Sequence, residues 1–274
     1  MPVPADLDDT IRRALDEDLG SGDVTTDSVV PEDRNADGSF VAKASGVLAG
    51  LPVARRTLGF LDDVRWTERM VDGRWVDPGV VVADVEGRAR VLLTAERVAL
   101  NFLTHLSGVA TLTHEYVDAC AGTESVILCT RKTLPGLRAL QRYAVEMGGG
   151  VLHRAGLYDA VLIKDNHIAI AGGVGEAIRC ARERTGLSIE VEVDTLEQLH
   201  EALDAGADRI LLDNPGADLV KRAVDAVGDR IPLEVSGGMT VDKVREIAPL
   251  GPLLISVGRI THSAPALDIS LDLS

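Results

Sequence analysis

Aromatic side chains are scarce: three Phe, two Trp and three Tyr make up 3% of 274 residues. A core without them must be filled by Ala, Val, Leu and Ile, which suits parallel strands covered by helices. Basic charge is also in short supply. Lys and Arg number 28 against 43 Asp and Glu, a formal net charge of −15. That excludes a broad cationic face for nucleic acid, so any anion site must be local. The three cysteines, Cys120, Cys129 and Cys180, show no CxxC spacing; reduced, packed thiols in a cytoplasmic setting are expected. Long apolar runs are missing too. The first twenty residues are acidic, so neither a signal peptide nor a membrane span is expected.

What is present is 46% hydrophobic residues, enough for one large α/β domain and a smaller companion. The first part, to about residue 105, begins with a helical stretch over 7–18. Gly-punctuated, Val-rich pieces at 38–48 and 78–85 follow and read as antiparallel strands of an α+β domain. A helix is expected to start at Thr94 as its cap, with Leu100, Leu103 and Leu106 on its apolar face. From residue 126 onward short apolar strands alternate with helical stretches, at 126–130, 160–164, 189–193, 209–212, 232–235 and 253–257. Between them, Thr195 and Gln198 have capping-box spacing. Repeated βα units with right-handed crossovers give a doubly wound sheet or a barrel. Polar residues close most of these strands, as a barrel mouth requires, and no GxGxxG follows the first, so an incomplete barrel is preferred.

The sharpest chemical signal is cationic. Arg131 and Lys132 follow one strand, His153 and Arg154 form a second short segment, and Lys164 ends a third. Arginine meets carboxylates through a planar fork and lysine supplies a compact point charge, so the mixture suits two carboxylates plus phosphates. Alternatively, these are exposed charges paired with the many acids of the chain. Arg97 falls in the first turn of the expected helix, where the macrodipole disfavours a cation; a bound anion or a local pair with Glu96 would each offset that. Ser236-Gly237-Gly238 follows a strand and precedes a helix near Thr240, and Gly258 and His262 follow the last strand. Such loops after the final barrel strands suit phosphate. Glu192 and Asp213 end neighbouring strands and could orient sugar hydroxyls, ligate Mg²⁺, or steady charge on a ribosyl carbon; alternatively, they are structural ion pairs with the lysines they face. His105, His114 and His200 lack metal-ligand spacing, and His167 is open.

In this order the segments resemble a known family. They are Glu17-Asp18-Leu19-Gly20 with Gly22-Asp23, Thr94-Ala95-Glu96-Arg97, Thr130-Arg131-Lys132-Thr133, Gly148-Gly149-Gly150, His153-Arg154, Lys164-Asp165-Asn166-His167, Leu212-Asp213-Asn214, Ser236-Gly237-Gly238 and Thr261-His262-Ser263. Together they are similar to nicotinate-nucleotide pyrophosphorylase (carboxylating), the quinolinate phosphoribosyltransferase family. The resemblance implies an N-terminal open-faced sandwich, residues 1–105 joined by the tail 268–274, and an incomplete seven-stranded α/β barrel over 106–267. It implies a homodimer, with assembly beyond the dimer left open, in which Arg97 reaches the neighbouring subunit's site. Arg97, Thr130, Arg131, Lys132, His153, Arg154 and Lys164 would surround quinolinate. Glu192 and Asp213 would face ribose and Mg²⁺, directly or through water. Ser236, Gly237, Gly238, Val257, Gly258, Arg259 and His262 would serve the phosphate of phosphoribosyl pyrophosphate. Lys132, Lys164, Glu192 and Asp213 would carry the catalysis. The chain departs from the family pattern at Leu152, where Asn is usual, at Cys129 for Asp, at Arg142 for Lys and at Arg259 for a small residue.

Two other readings compete. One is a sibling transferase acting on another pyridine acid, or the pyrophosphorylase-like protein associated with molybdenum transport. The other is a non-catalytic barrel that binds an anionic metabolite, for which Glu192 and Asp213 would have no evident use.

Overall fold

A computed structural model describes residues 6–274. It divides into two compact units. The first holds the described residues up to His114, together with Thr133–Gly149 and Ile260–Ser274. The second holds Glu115–Lys132 and Gly150–Arg259. Among the described residues no helix is long and apolar enough to cross a membrane.

The first unit is built on the antiparallel strands β1 (Asn35–Ala42), β3 (Arg65–Glu68) and β5 (Val81–Arg88), with β2 (Gly46–Val47) and β4 (Trp75–Val76) as a separate pair. Alternation decides its two faces. Phe40 lies opposite Ala83 and Gly38 opposite Val85, all four buried, whereas Ser39 and Asp84 turn outward and hydrogen-bond at 2.7 Å. One face is therefore apolar and the other charged, as expected of an antiparallel sheet packed on one side. The chain's last strand joins this sheet: Ile269–Leu273 pairs antiparallel with β1.

The helix anticipated from Thr94 begins earlier, at Ala89, and runs to Ala119. Ala89 and Leu92 extend the buried stripe of Ala95, Val98, Ala99, Phe102 and Leu103, so the apolar period continues upstream of the supposed cap. Thr94 Oγ1 instead donates to Asp23 Oδ2 at 3.0 Å. The helix Arg138–Met147 also falls in the first unit, although barrel strands flank it in sequence. Its buried Gln141 donates to the Thr261 carbonyl at 2.6 Å, and its Tyr143 hydroxyl donates to Asp72 at 2.5 Å. Satisfying these polar groups ties the helix to that unit.

The second unit is a parallel sheet of β6 (Val126–Leu128), β7 (Val161–Ile163), β8 (Ile189–Val193), β9 (Arg209–Asp213), β10 (Leu233–Ser236) and β11 (Leu253–Ser256). Each strand from β7 to β11 pairs with the next in the chain, and β11 returns to pair with β6. A seventh member is reduced to one residue: Val151 bridges Leu128 in parallel, its N–H donating to Ile127 and its carbonyl accepting from Cys129. The cyclic order is thus complete except between Val151 and β7, which is an incomplete seven-stranded α/β barrel. Thr195 caps the helix Leu196–Asp204 by accepting from the Gln198 N–H at 3.2 Å. The Gln198 side chain reaches back to the Asp194 N–H at 2.8 Å.

Strand register separates the two faces of this sheet. Ile189, Val191 and Val193, with Ile210, Leu212, Leu233, Val235, Leu253 and Ile255, share one buried apolar face. The opposite, inward face carries Glu190 beside Arg209, Glu192 and Glu234 on either side of Leu211, and Asp213 beside Ser236. An interior normally filled by branched apolar residues is therefore polar at its centre.

Candidate active site

The inward face opens into a cavity of about 340 Å³ in the second unit. Thr130, Arg131 and Lys132 follow β6, His153 and Arg154 follow the Val151 bridge, and Lys164 follows β7; all six line it. Asp213 and Ser236, the last residues of β9 and β10, line it as well, and Leu162, Leu211, Glu234 and Ser256 complete the wall. Sequence position thus becomes spatial convergence because every parallel strand delivers its C-terminal end to the same mouth.

The cations differ in what they touch. Lys164 Nζ stands 2.5 Å from Glu192 Oε2, so these two strand-end residues form a pair at the rim. Arg154 donates to the Ala160 carbonyl at 3.3 Å. Burial, and then the charge of neighbouring Arg131, hold its guanidinium below its ordinary pKa. Two like charges lining one cavity favour an anion between them. Arg131 Nε is itself buried without a hydrogen-bond partner. His167 is no ligand-spaced histidine: its Nδ1 accepts from the Lys164 N–H at 2.9 Å and braces the turn after β7.

Below this rim lies a group that inspection of charge alone did not single out. His153 Nε2 is 3.0 Å from Glu190 Oε2 and 3.2 Å from Glu234 Oε2, and all three side chains are buried. Burial by itself would lower the pKa of His153, but the two carboxylates outweigh it and push it up to about 9. Burial raises Glu190, and the charge of Glu234 adds to that. Glu234 is held below the usual carboxylate value because hydrogen bonds from His153 and Ser256 overcome its burial. The signal was present in Ile189-Glu190-Val191-Glu192-Val193 and Leu233-Glu234-Val235: strict alternation in strands that parallel packing would otherwise make wholly apolar.

Two turns at the mouth interlock. Asn214 is the one non-glycine residue among those described with positive φ, at 50°, and its N–H donates to the Ser236 carbonyl at 2.8 Å. Gly237 has φ +90°, and a Cβ there would lie 2.4 Å from Asn214 Cγ. Only glycine fits. The following helix, Val241–Ile247, is capped by Thr240, which accepts from the Lys243 N–H at 3.2 Å. Gly238 stands in the same turn, and Val257, Gly258 and Arg259 follow β11.

Arg97 and His262 belong to the first unit. Since the helix starts at Ala89, Arg97 is not in its first turn, and the macrodipole argument for an anion at Arg97 fails. Its guanidinium is exposed and 3.8 Å from Glu96. His262 Nδ1 is 2.6 Å from Ser263 Oγ.

Comparison with known proteins gives these residues a family. The model of the quinolinate phosphoribosyl transferase N-terminal domain matches residues 23–107, and that of the C-terminal domain matches residues 109–272. The chain belongs to the quinolinate phosphoribosyltransferase family. It is 47% identical over 273 residues to a nicotinate-nucleotide pyrophosphorylase [carboxylating] of Mycobacterium leprae, covering 97% of this chain and 96% of the relative. A probable nicotinate-nucleotide pyrophosphorylase [carboxylating] of Bacillus subtilis is 43% identical over 262 residues, covering 94% and 90%. Among solved structures of the family, NadC from Streptococcus pyogenes superposes with a TM-score of 0.96 at 40% identity, covering 100% of this chain and 98% of that one.

The family's chemistry implies Mg²⁺, and the rim can be tested for it. Glu192 is already paired with Lys164, and Asp213 Oδ2 accepts from the Asn214 amide at 2.7 Å. Among the described residues the one cluster of three close metal-ligating groups is His153, Glu190 and Glu234. That cluster is buried and already ion-paired. The rim therefore fits a Mg²⁺ held mainly by phosphates and water with one or two carboxylates, rather than an all-protein cage.

Proposed function

We propose that this chain is a quinolinate phosphoribosyltransferase (decarboxylating). It would join quinolinate to phosphoribosyl pyrophosphate and yield nicotinate mononucleotide, pyrophosphate and carbon dioxide, a step of de novo NAD biosynthesis. The observation that carries this reading is the convergence of five cations, from three separate segments, on one cavity in a chain of net charge −15.

In this reading Arg131, His153 and Arg154 receive the two carboxylates, and the planar guanidinium forks fix the orientation of the ring. Lys132 and Lys164 face the phosphates. The pyridine nitrogen forms a bond to carbon 1 of the ribose as the bond from that carbon to pyrophosphate breaks, and the electron pair leaves with pyrophosphate. Asp213 and Glu192 orient the ribose hydroxyls and steady positive charge on the ribosyl carbon. Mg²⁺, when bound, neutralises the leaving group, with Glu192 and Asp213 holding it directly or through water. The pyridinium product then draws electrons from the adjacent carbon–carboxylate bond; carbon dioxide departs and the ring carbon takes a proton from solvent. Ser236, Gly237, Gly238, Val257, Gly258, Arg259 and His262 serve the ribose phosphate. Arg97 acts in the site of a neighbouring subunit of a cytoplasmic homodimer.

The test is turnover. Pure protein with phosphoribosyl pyrophosphate and Mg²⁺ is expected to release pyrophosphate and carbon dioxide with quinolinate and not with nicotinate. Release with another pyridine acid alone would reject the assignment.

A further inference from the structure

A pocket for a dianion gains nothing from carboxylates in its wall, yet Glu234 lines the cavity while being only 1% exposed. Placing it there costs desolvation and repels the ligand unless it is tightly held. It is held on both oxygens. Ser256 Oγ donates to Oε1 at 2.6 Å, and Oε2 receives Arg209 Nη1 at 3.3 Å and faces His153 Nε2 at 3.2 Å. These partners come from β11, from β9 and from the segment after the Val151 bridge, so Glu234 joins three separate parts of the barrel wall.

We infer that Glu234 is a positioning residue for His153: its carboxylate, braced by Ser256 and Arg209, keeps the imidazole charged and in one orientation, so that the cavity presents a fixed cation to the acid. This rests on the reading of the cavity as a pyridine-dicarboxylate site. The physical need is clear. A histidine this deeply buried would otherwise shed its proton and offer the acid a neutral, freely turning ring. The charged groups facing the ring are Glu190 from β8 and Glu234 from β10, with Arg209 of β9 behind Glu234. Arg131, Lys132, Arg154 and Lys164 line the same cavity. Burial opposes a charge on the ring, and the carboxylates prevail. Glu234 touches no reacting atom and acts only through His153.

The experiment uses the full chain and its Glu234→Gln and Glu234→Asp variants in steady-state assays across pH. For Glu234→Gln the KM for quinolinate is expected to change little near neutral pH and to approach a tenfold rise at alkaline pH, the worth of a fall of roughly one pKa unit in His153. The rise should grow with increasing pH, while kcat and the KM for phosphoribosyl pyrophosphate change much less. Glu234→Asp should recover most of the loss. A merely structural role would depress both substrates' parameters together without a pH dependence. Independently of turnover, the His153 imidazole is followed by NMR in labelled protein and assigned with His153→Gln. The ring should remain protonated at about pH 8 in the unaltered chain, well above the ordinary histidine value. A neutral ring there, or a Glu234→Gln enzyme with an unaltered quinolinate KM at every pH, overturns the inference. If the unaltered chain does not turn over quinolinate, the functional reading falls instead, and the NMR titration still decides the Glu234–His153 relation. Should Glu234→Gln not fold, Ser256→Ala replaces it, with the same loss expected in smaller degree; no change in its quinolinate KM overturns the inference.

Discussion

Lys164 Nζ lies 2.5 Å from Glu192 Oε2, a pair made by the ends of two adjacent strands, β7 and β8. The lysine side chain is 48% exposed and the glutamate 14%. Water screens the pair, so its contribution to stability is small, about 1 kcal/mol or less. Its value is positional: a cation and an anion are held side by side at the mouth, ready to separate around a charged substrate. Lys164→Ala is therefore expected to shift thermal unfolding by only a few degrees, while kcat/KM for pyrophosphate release falls by about a hundredfold or more. A large drop in melting temperature with intact turnover would reverse the assignment.

Asp213 gives a second contrast between fold and chemistry. It is exposed and bonded to its neighbour Asn214. Asp213→Ala should change stability by roughly 0.5 kcal/mol or less. Turnover should collapse and the apparent Mg²⁺ requirement should rise, while quinolinate still binds by calorimetry. Normal turnover in this variant would remove Asp213 from the mechanism.

Gly237 tests the turn that borders the mouth. Its φ of +90° strains any side chain, and an added Cβ would lie 2.4 Å from Asn214 Cγ, so the Asn214 amide would have to move. Gly237→Ala is expected to cost about 1–3 kcal/mol of stability. It should also raise the KM for phosphoribosyl pyrophosphate more than that for quinolinate. Thermal unfolding together with the two KM values checks both parts.

His153 links the site to folding stability. Its pKa in the folded chain is raised, to about 9, so the folded state holds the proton more tightly than the unfolded state. The stabilisation is fully present below the ordinary value of about 6.5. It is lost as pH rises through about 9. Melting temperatures measured over this window should decline with pH in the unaltered chain and decline less in His153→Gln.

Subunit sharing is tested by mixing. Arg97→Ala and Lys132→Ala chains should each be inactive alone. If Arg97 serves the neighbour's site, one intact site forms in the mixed dimer and activity returns on exchange. No recovery between chains shown to have exchanged would place both residues in the same site.

Much of the barrel was legible because local rules and global structure agree there. The strand at 189–193 emerged with the limits its sequence suggested, and the others differ by a residue or two at their ends. Arg131, Lys132, His153, Arg154 and Lys164 could be grouped in advance because parallel strands bring successive C-terminal ends to one rim. The start of the long helix was less legible. Thr94 has the chemistry of a cap, but the buried Ala89 and Leu92 extend the apolar stripe past it, and burial outweighs a cap.

What the sequence by itself determined is the class of fold, the order of its strands and the cationic character of one mouth, since periodicity and strand-end residues are local properties. Only the tertiary structure decided which partners the interior charges find. In their own strands Glu190 and Glu234 show only as acidic positions in an alternation, which names no partner for either. Strand register and the incomplete closure through Val151 are long-range properties, and they turn both carboxylates inward to His153. The same long-range pairing brings the last strand, Ile269–Leu273, onto β1. Such contacts depend on which buried groups can satisfy one another across the folded chain.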